Sequence, residues 1–127
     1  MAKLQLVVVT HARKVLDLEC DEVVLPGRQG ELGILPGHAA FVGSLRPGVL
    51  QVIGGDGGSW AVSAGFCEIS DDIVTVLTER AASKDDVDSA AVRSELEEAE
   101  RRLERAEPED LDKDADAVAW AEARLAL

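Results

Sequence analysis

Leu4, Leu6 and Val8 share one parity, and the same two-residue beat returns where Leu16, Leu18 and Cys20 alternate with Asp17, Glu19 and Asp21. Successive side chains of a strand point to opposite faces, so both segments predict strands with one face buried. Val49 to Ile53 and Trp60 to Ala64 flank Gly54-Gly55-Asp56-Gly57-Gly58, the pattern of a hairpin; Phe66 to Ile69 and Ile73 to Thr78 flank Ser70-Asp71-Asp72 in the same way. Further along the beat lengthens. Val92, Leu96, Ala99, Leu103 and Ala106 recur at steps of four and three, which places them on one face of a helix. Asp88 or Ser89 is suited to cap its start, Glu97 with Arg101 and Glu98 with Arg102 stand at i, i+4 in the favourable order, and Pro108 predicts an end just before it. A second helix then carries Leu111, Ala115, Val118, Ala121 and Leu125.

Glycine and proline sharpen the division. All eleven glycines lie between Gly27 and Gly65, and three of the four prolines between Pro26 and Pro47; beyond Gly65 only Pro108 remains. Both residues punctuate strands but destabilise helix interiors. The expected organisation is a turn-rich β domain over residues 1–82, a sandwich or barrel of many short strands, followed by a helical hairpin over 83–127. At 127 residues the chain buries a modest core, and with aromatics at 3% against 46% hydrophobic residues that core is aliphatic. The seam between the helices is mostly alanine, and isolated helices of about 15 residues are marginal in water. A weakly held hairpin that a partner could displace is the expectation, with a merely solvated acidic tail as the plainer alternative.

The formal net charge of −12 excludes nucleic acid or an anionic lipid surface as the main partner, since both need a positive field. Protein partners are expected. Leu4 to Val9 is interrupted by Gln5 and is too short for a secretory core, and no run of about 18 apolar residues is present. The expectation is a soluble cytoplasmic chain whose membrane association is borrowed from a partner. Cys20 and Cys67 stand far apart and are expected as free, buried thiols.

Candidate chemistry is sparse. There is no Gly-Lys-Ser/Thr phosphate loop, and Gly55-Asp56-Gly57 lacks the third glycine of a dinucleotide fingerprint, so it is expected to be a turn. His11 and His38 do not combine with the cysteines into a metal-ligand spacing. Ala61-Val62-Ser63-Ala64-Gly65 has the look of a nucleophile elbow with its first glycine lost, but strand-like residues flank Ser63 on both sides where the elbow needs a following helix. Asp71-Asp72 and Asp85-Asp86 suit a turn and a helix start better than an acid/base pair. No catalytic residue, cofactor or metal is expected. What stands out is Pro26 to His38, two prolines and four glycines around a lone Glu31 and His38, a rigid loop with little side-chain bulk that suits close approach to another surface.

That loop, Pro26-Gly27-Arg28-Gln29-Gly30-Glu31-Leu32-Gly33-Ile34-Leu35-Pro36-Gly37-His38, resembles the epsilon-subunit family of bacterial F-type ATP synthases. The resemblance runs on through Leu4-Gln5-Leu6-Val7-Val8-Val9-Thr10, Val23-Val24-Leu25-Pro26-Gly27, Leu45-Arg46-Pro47-Gly48, Gly65-Phe66-Cys67-Glu68-Ile69 and Val74-Thr75-Val76-Leu77, in order over the first 80 residues. It implies a flattened N-terminal β-sandwich of about ten short strands and a C-terminal antiparallel two-helix hairpin. It also implies a non-catalytic rotor subunit, bound to the gamma subunit of the central stalk and to the c-subunit ring, that couples transmembrane proton flow to ATP synthesis on the cytoplasmic face of the plasma membrane. Carried over by position, Glu31 would face the c ring and His38 would lie near gamma. Arg101, Arg102 and Arg105 could meet the beta subunit of the alpha/beta catalytic head if the hairpin extends to oppose ATP hydrolysis.

Two departures limit the transfer. Members that bind ATP on the folded hairpin open the first helix with Ile/Leu-Asp-x-x-Arg-Ala, whereas here the matching run is Val87-Asp88-Ser89-Ala90-Ala91-Val92, so Ala91 stands where the arginine would be and Arg93 lies on another helix face. The tail beyond residue 80 carries seven basic against fifteen acidic residues, and its charge opposes approach to an acidic segment. Two other classes fit the composition: a free-standing β-sandwich ligand-binding or adaptor module with a helical docking tail, and a small hydrolase built on Ser63.

Overall fold

Ten strands precede two helices in the computed structural model, which describes residues 2–55 and 58–127. The strands are β1 (Leu4–Val9), β2 (Lys14–Cys20), β3 (Glu22–Gly27), β4 (Gly30–Ile34), β5 (Phe41–Leu45), β6 (Gly48–Ile53), β7 (Gly58–Val62), β8 (Gly65–Ser70), β9 (Ile73–Thr78) and β10 (Ala81–Ala82). Their order is β10-β7-β6-β3-β5-β8-β9-β1-β2, with β4 paired to β3. Every pairing is antiparallel except β1 with β9. The path turns a corner where β3 meets β5 through the single pair Gly27–Leu45, so the strands fold over into a sandwich. Glycine is required at that corner: a Cβ on Gly27 would lie 2.5 Å from the Gly30 carbonyl oxygen.

The predicted parity holds. Leu4, Leu6 and Val8 are buried, while Gln5, Val7 and Val9 are half-exposed. They join Val23, Leu25, Ile34, Leu45, Leu50, Val62, Ile69, Val74 and Val76 in one aliphatic core. The β8–β9 turn places Asp71 and Asp72 at φ 50° and 63°, a left-handed pair suited to a tight hairpin and one that aspartate tolerates well. Antiparallel pairing of β6 with β7 matches the hairpin predicted around Gly54–Gly58 up to Val52–Gly58, though Asp56 and Gly57, and with them the expected Gly55-Asp56-Gly57 turn, lie outside the described residues.

After β10 comes a one-turn 3-10 helix at Lys84–Asp86, then α1 (Ser89–Glu104), a second 3-10 turn at Pro108–Asp110, and α2 (Leu111–Leu125). Asp88 is the cap, its side chain accepting the Ala91 N–H at 3.3 Å. Of the two i, i+4 pairs, Glu98–Arg102 closes at 3.0 Å. The end of α1 falls earlier than expected, at Glu104. Arg105 and Ala106 donate backwards to the Arg102 and Leu103 carbonyls in a tightened last turn, and Glu107, restricted by the proline after it, is extended.

Candidate interaction surfaces

The β3–β4 hairpin carries the first candidate. Pro26 pairs with Glu31 and Gly27 with Gly30, leaving Arg28 and Gln29 as its tip and Glu31 exposed on the emerging strand. The chain then runs through Pro36 and Gly37, whose φ of +89° suits glycine. This loop is pinned from beneath: the Gly37 N–H donates to the Asp72 carboxylate at 2.7 Å, and the Gln5 N–H donates to the Asp72 carbonyl at 2.9 Å. His38 is exposed, with Nδ1 2.7 Å from the Ala39 carbonyl oxygen and its ring edge-on to Phe41. Glu31 and His38 flank one shallow cleft of ≈ 190 Å³ with Leu32, Gly33, Ile34 and Phe41. The two expected contact residues therefore belong to the same patch.

A second surface was not anticipated. On the outer face of β5, β8, β9 and β1, register aligns Ser44, Phe66, Leu77 and Val9 in one row and Val42, Glu68, Thr75 and Val7 in the next. Val42 is 70% exposed, Phe66 59% and Leu77 50%. Phe66 and Leu77 also line a cleft of ≈ 410 Å³ with Val9 and His11. Exposed apolar side chains gathered on one sheet face, here interspersed with Ser44, Glu68 and Thr75, are the usual mark of a surface that meets another chain. The sequence signal was available, since Phe66 and Leu77 stand on the outward parity of their strands, where polar residues are usual.

The opposite face is covered. Val49, Ala61 and Ala82 form a row across β6, β7 and β10, and Trp120 and Ala123 of α2 pack on this shelf with Leu127. Trp120 is only 6% exposed. The Arg80 guanidinium lies 5.0 Å and that of Arg124 4.7 Å from the centroid of its ring. Arg124 also pairs with Glu95 of α1, and its hydrogen bond holds the Glu95 carboxyl below the usual carboxylate range. Glu95 lies in the first half of α1 and Arg124 in the last turn of α2, the pairing of an antiparallel hairpin. Arg28, at the β3–β4 tip, grips Asp116 with both nitrogens, at 2.8 and 2.6 Å.

The expected α2 stripe therefore needs correction. Val118, Ala121 and Leu125 are buried or half-buried, but Leu111 and Ala115 are exposed, and the deepest contact to the sandwich comes from Trp120. Trp120, Ala123 and Leu127 form a second apolar stripe at steps of three and four, readable in the sequence once a helix with two buried faces is considered. Arg101, Arg102 and Arg105 are exposed at the end of α1; Arg102 is paired with Glu98, and the Arg105 Nε–H donates to the Arg101 carbonyl at 3.4 Å. They share no contact with Glu31 or His38. Ala91 and Arg93 are both exposed.

Ser63 has a structural task. Buried between β7 and β8, its Oγ accepts the Arg80 N–H at 2.9 Å and donates to the Arg80 carbonyl at 3.2 Å, so it closes a backbone junction that presents the Arg80 side chain to Trp120. No helix follows it, and the elbow geometry a nucleophile needs is absent. Cys20 and Cys67 are free and buried, and burial pushes both thiols up. Among the described residues no three His, Cys, Asp or Glu side chains converge as a metal site.

A β-sandwich with an attached helical pair, whose distinctive features are a pinned loop and an apolar sheet face, defines an interaction subunit. The family model for the beta-sandwich domain of the ATP synthase delta/epsilon chain matches residues 3–84, and the chain belongs to that family, a non-catalytic subunit of the complex. An ATP synthase epsilon chain of Bordetella petrii is 38% identical over 129 residues, covering 100% of this chain and 87% of that one. The epsilon chain of Trichlorobacter lovleyi is 41% identical over 109 residues, covering 85% and 79%. Among solved structures, a chain of the Euglena gracilis mitochondrial ATP synthase, OSCP/F1/c-ring, superposes with a TM-score of 0.82 at 24% identity, over 99% of this chain and 81% of that one. A chain of the Tetrahymena thermophila central stalk/c-ring assembly gives 0.57 at 16% identity over 73% and 72%. At these identities the structures speak to the fold, which is the sandwich and helical pair expected from the sequence.

Proposed function

We propose that this chain is the central-stalk rotor subunit of a bacterial ATP synthase, bound to gamma and resting on the c ring, where it couples proton flow through the membrane to ATP synthesis. The observation that carries the reading is the bare Val42–Phe66–Leu77 face on a sandwich whose other face is already covered by its own helix. A rotor part must transmit torque, which favours a stiff, close-packed sandwich with few mobile groups at its contacts. Residues 1–82 form the stalk-binding domain and 83–127 the regulatory hairpin. Glu31 faces the polar loops of the c ring, and His38 with its neighbours lies towards gamma. Among the described residues no helix is long and apolar enough to cross a membrane, and the chain meets the cytoplasmic face of the plasma membrane through the complex.

Co-expression with the gamma subunit of the same organism tests this: a 1:1 complex that survives size exclusion is expected, and two separate peaks would overturn the rotor reading. Arg101, Arg102 and Arg105 support an inhibitory role for the hairpin once extended towards the beta subunit. Assembled enzyme carrying a chain truncated after Ala82 is expected to hydrolyse ATP faster than the intact form; equal rates would refute inhibition while leaving the rotor role in place.

A further inference from the structure

We propose that the helical hairpin is fastened to the sandwich by a two-point latch, Arg28 on Asp116 and Arg80 on Trp120, and that Arg124 with Glu95 makes the two helices leave the sandwich together. The inference deepens the regulatory reading above and rests on it for its biological use, but the latch is a property of the isolated chain.

The two points differ in chemistry and sit on different parts of the sandwich. Arg28 is at the tip of the β3–β4 hairpin, where its backbone N–H donates to the Ser44 carbonyl at 3.0 Å, so the base of its side chain is fixed before the guanidinium reaches Asp116 in fork-to-fork geometry. Arg80 is fixed in turn by Ser63 and Thr78, both of which donate to its carbonyl, at 3.2 and 3.1 Å. Its guanidinium stacks on the buried indole of Trp120, a contact that needs no charged partner. From Trp120 the chain of contacts continues within the hairpin through Arg124 to Glu95 on α1. Without that last link α1 would hold α2 mainly through the alanine-rich seam, and the helices could part from each other as easily as from the sandwich.

The position of Arg28 gives the latch its regulatory use. It lies three residues before Glu31 in the same tight hairpin, so any partner that takes hold of this tip and competes for the guanidinium weakens the hairpin's docking. By linkage, docking of the hairpin opposes that engagement to the same degree.

Hydrogen–deuterium exchange of the full-length chain tests the latch. Arg28→Glu and Asp116→Arg are each expected to speed exchange of the α2 amides about 5–10-fold, as for loss of a well-formed ion pair plus repulsion, and the swapped double variant is expected to return to within about twofold of the parent. Arg80→Gln should accelerate the same amides by about threefold. In the parent α1 and α2 open together, whereas in Glu95→Gln the α1 amides are expected to exchange faster than those of α2. The β8 and β9 amides report the sandwich and should not change. Single reversals within twofold of the parent, a swap no better than the worse single variant, or loosening of sandwich and hairpin together would each overturn the proposal. None of these outcomes bears on binding to gamma, so failure of the latch and failure of the rotor reading are separately visible.

Discussion

The two outer faces of the sandwich solve the same problem in opposite ways. On β6, β7 and β10 the outward row is Val49, Ala61 and Ala82, small enough for a helix to lie close and seat Trp120. On β8 and β9 the outward row holds Phe66 and Leu77, large and apolar, and both are exposed. Large outward side chains keep the chain's own helix away and offer anchoring bulk to another chain, whereas small ones create a shelf that needs a large residue from above. The size of the outward residue therefore separates the internal interface from the external one. Polarity agrees: the covered face is framed by the Arg28–Asp116 and Arg80–Trp120 contacts, which add direction to a contact that apolar area alone would leave free to slide.

The sharpest way to break this contrast is to spoil the bare face alone. Phe66→Asp combined with Leu77→Asp is expected to weaken binding to gamma by about 100-fold or more, the scale of losing a hot-spot anchor, while the melting temperature of the isolated chain stays within a few degrees. Calorimetric titration and thermal melts separate the two effects. The covered face should respond in the reverse sense. Trp120→Ala removes the side chain that fills the shelf, and about 3 kcal/mol of hairpin docking should be lost, read by exchange of α2 amides, with gamma binding retained. Ala61→Leu attacks the same contact from below by overpacking, for about 1–3 kcal/mol, and a variant that docks as well as the parent would refute the shelf.

Smaller effects refine the picture within the hairpin. Asp88→Ala should destabilise α1 by about 1 kcal/mol through loss of its cap, visible as faster exchange at the first turn. Glu95 gives a pH dependence of definite sign. Its carboxyl is held below the usual range chiefly by the hydrogen bond from Arg124, so its folded pKa lies below its unfolded one. The added stability is fully present above the unfolded value of about 4.3 and fades as pH falls from there through the lowered folded value. Because the side chain is 57% exposed, screening holds the effect to about 0.5 kcal/mol. Equilibrium unfolding of the hairpin at successive pH values, compared with Glu95→Gln, should show the difference closing on the acid side.

Local pattern made much of this legible. The alternation of Leu4, Leu6 and Val8, the Asp71-Asp72 turn, the Asp88 cap and the long apolar periodicity of α1 are all set by residues within one or two turns of each other, where backbone geometry alone dictates which side chains share a face. The Pro26–His38 stretch was conspicuous for the same reason, but most of what its composition marked as a loop is the β3–β4 hairpin, and of its glycines Gly30 and Gly37 take the positive φ that other residues avoid. What the pattern could not supply was the pairing of distant segments. Arg28 and Asp116 are 88 residues apart, and Ser63, Arg80 and Trp120 converge only once β7, the β9–β10 turn and α2 are folded onto one another.

The end of α1 at Glu104 and the exposure of Ala115 show the same limit, since propensity marks where a helix can run, while packing chooses its stop and its buried side. The sequence by itself determined β1, β2 and β6 to β9, the two helices, the cap of α1 and the aliphatic character of the core, because those depend on neighbours along the chain. Only the tertiary structure decided which outer face is covered and which stays bare, because that depends on how the size of a side chain on one strand compares with what a remote helix brings to it.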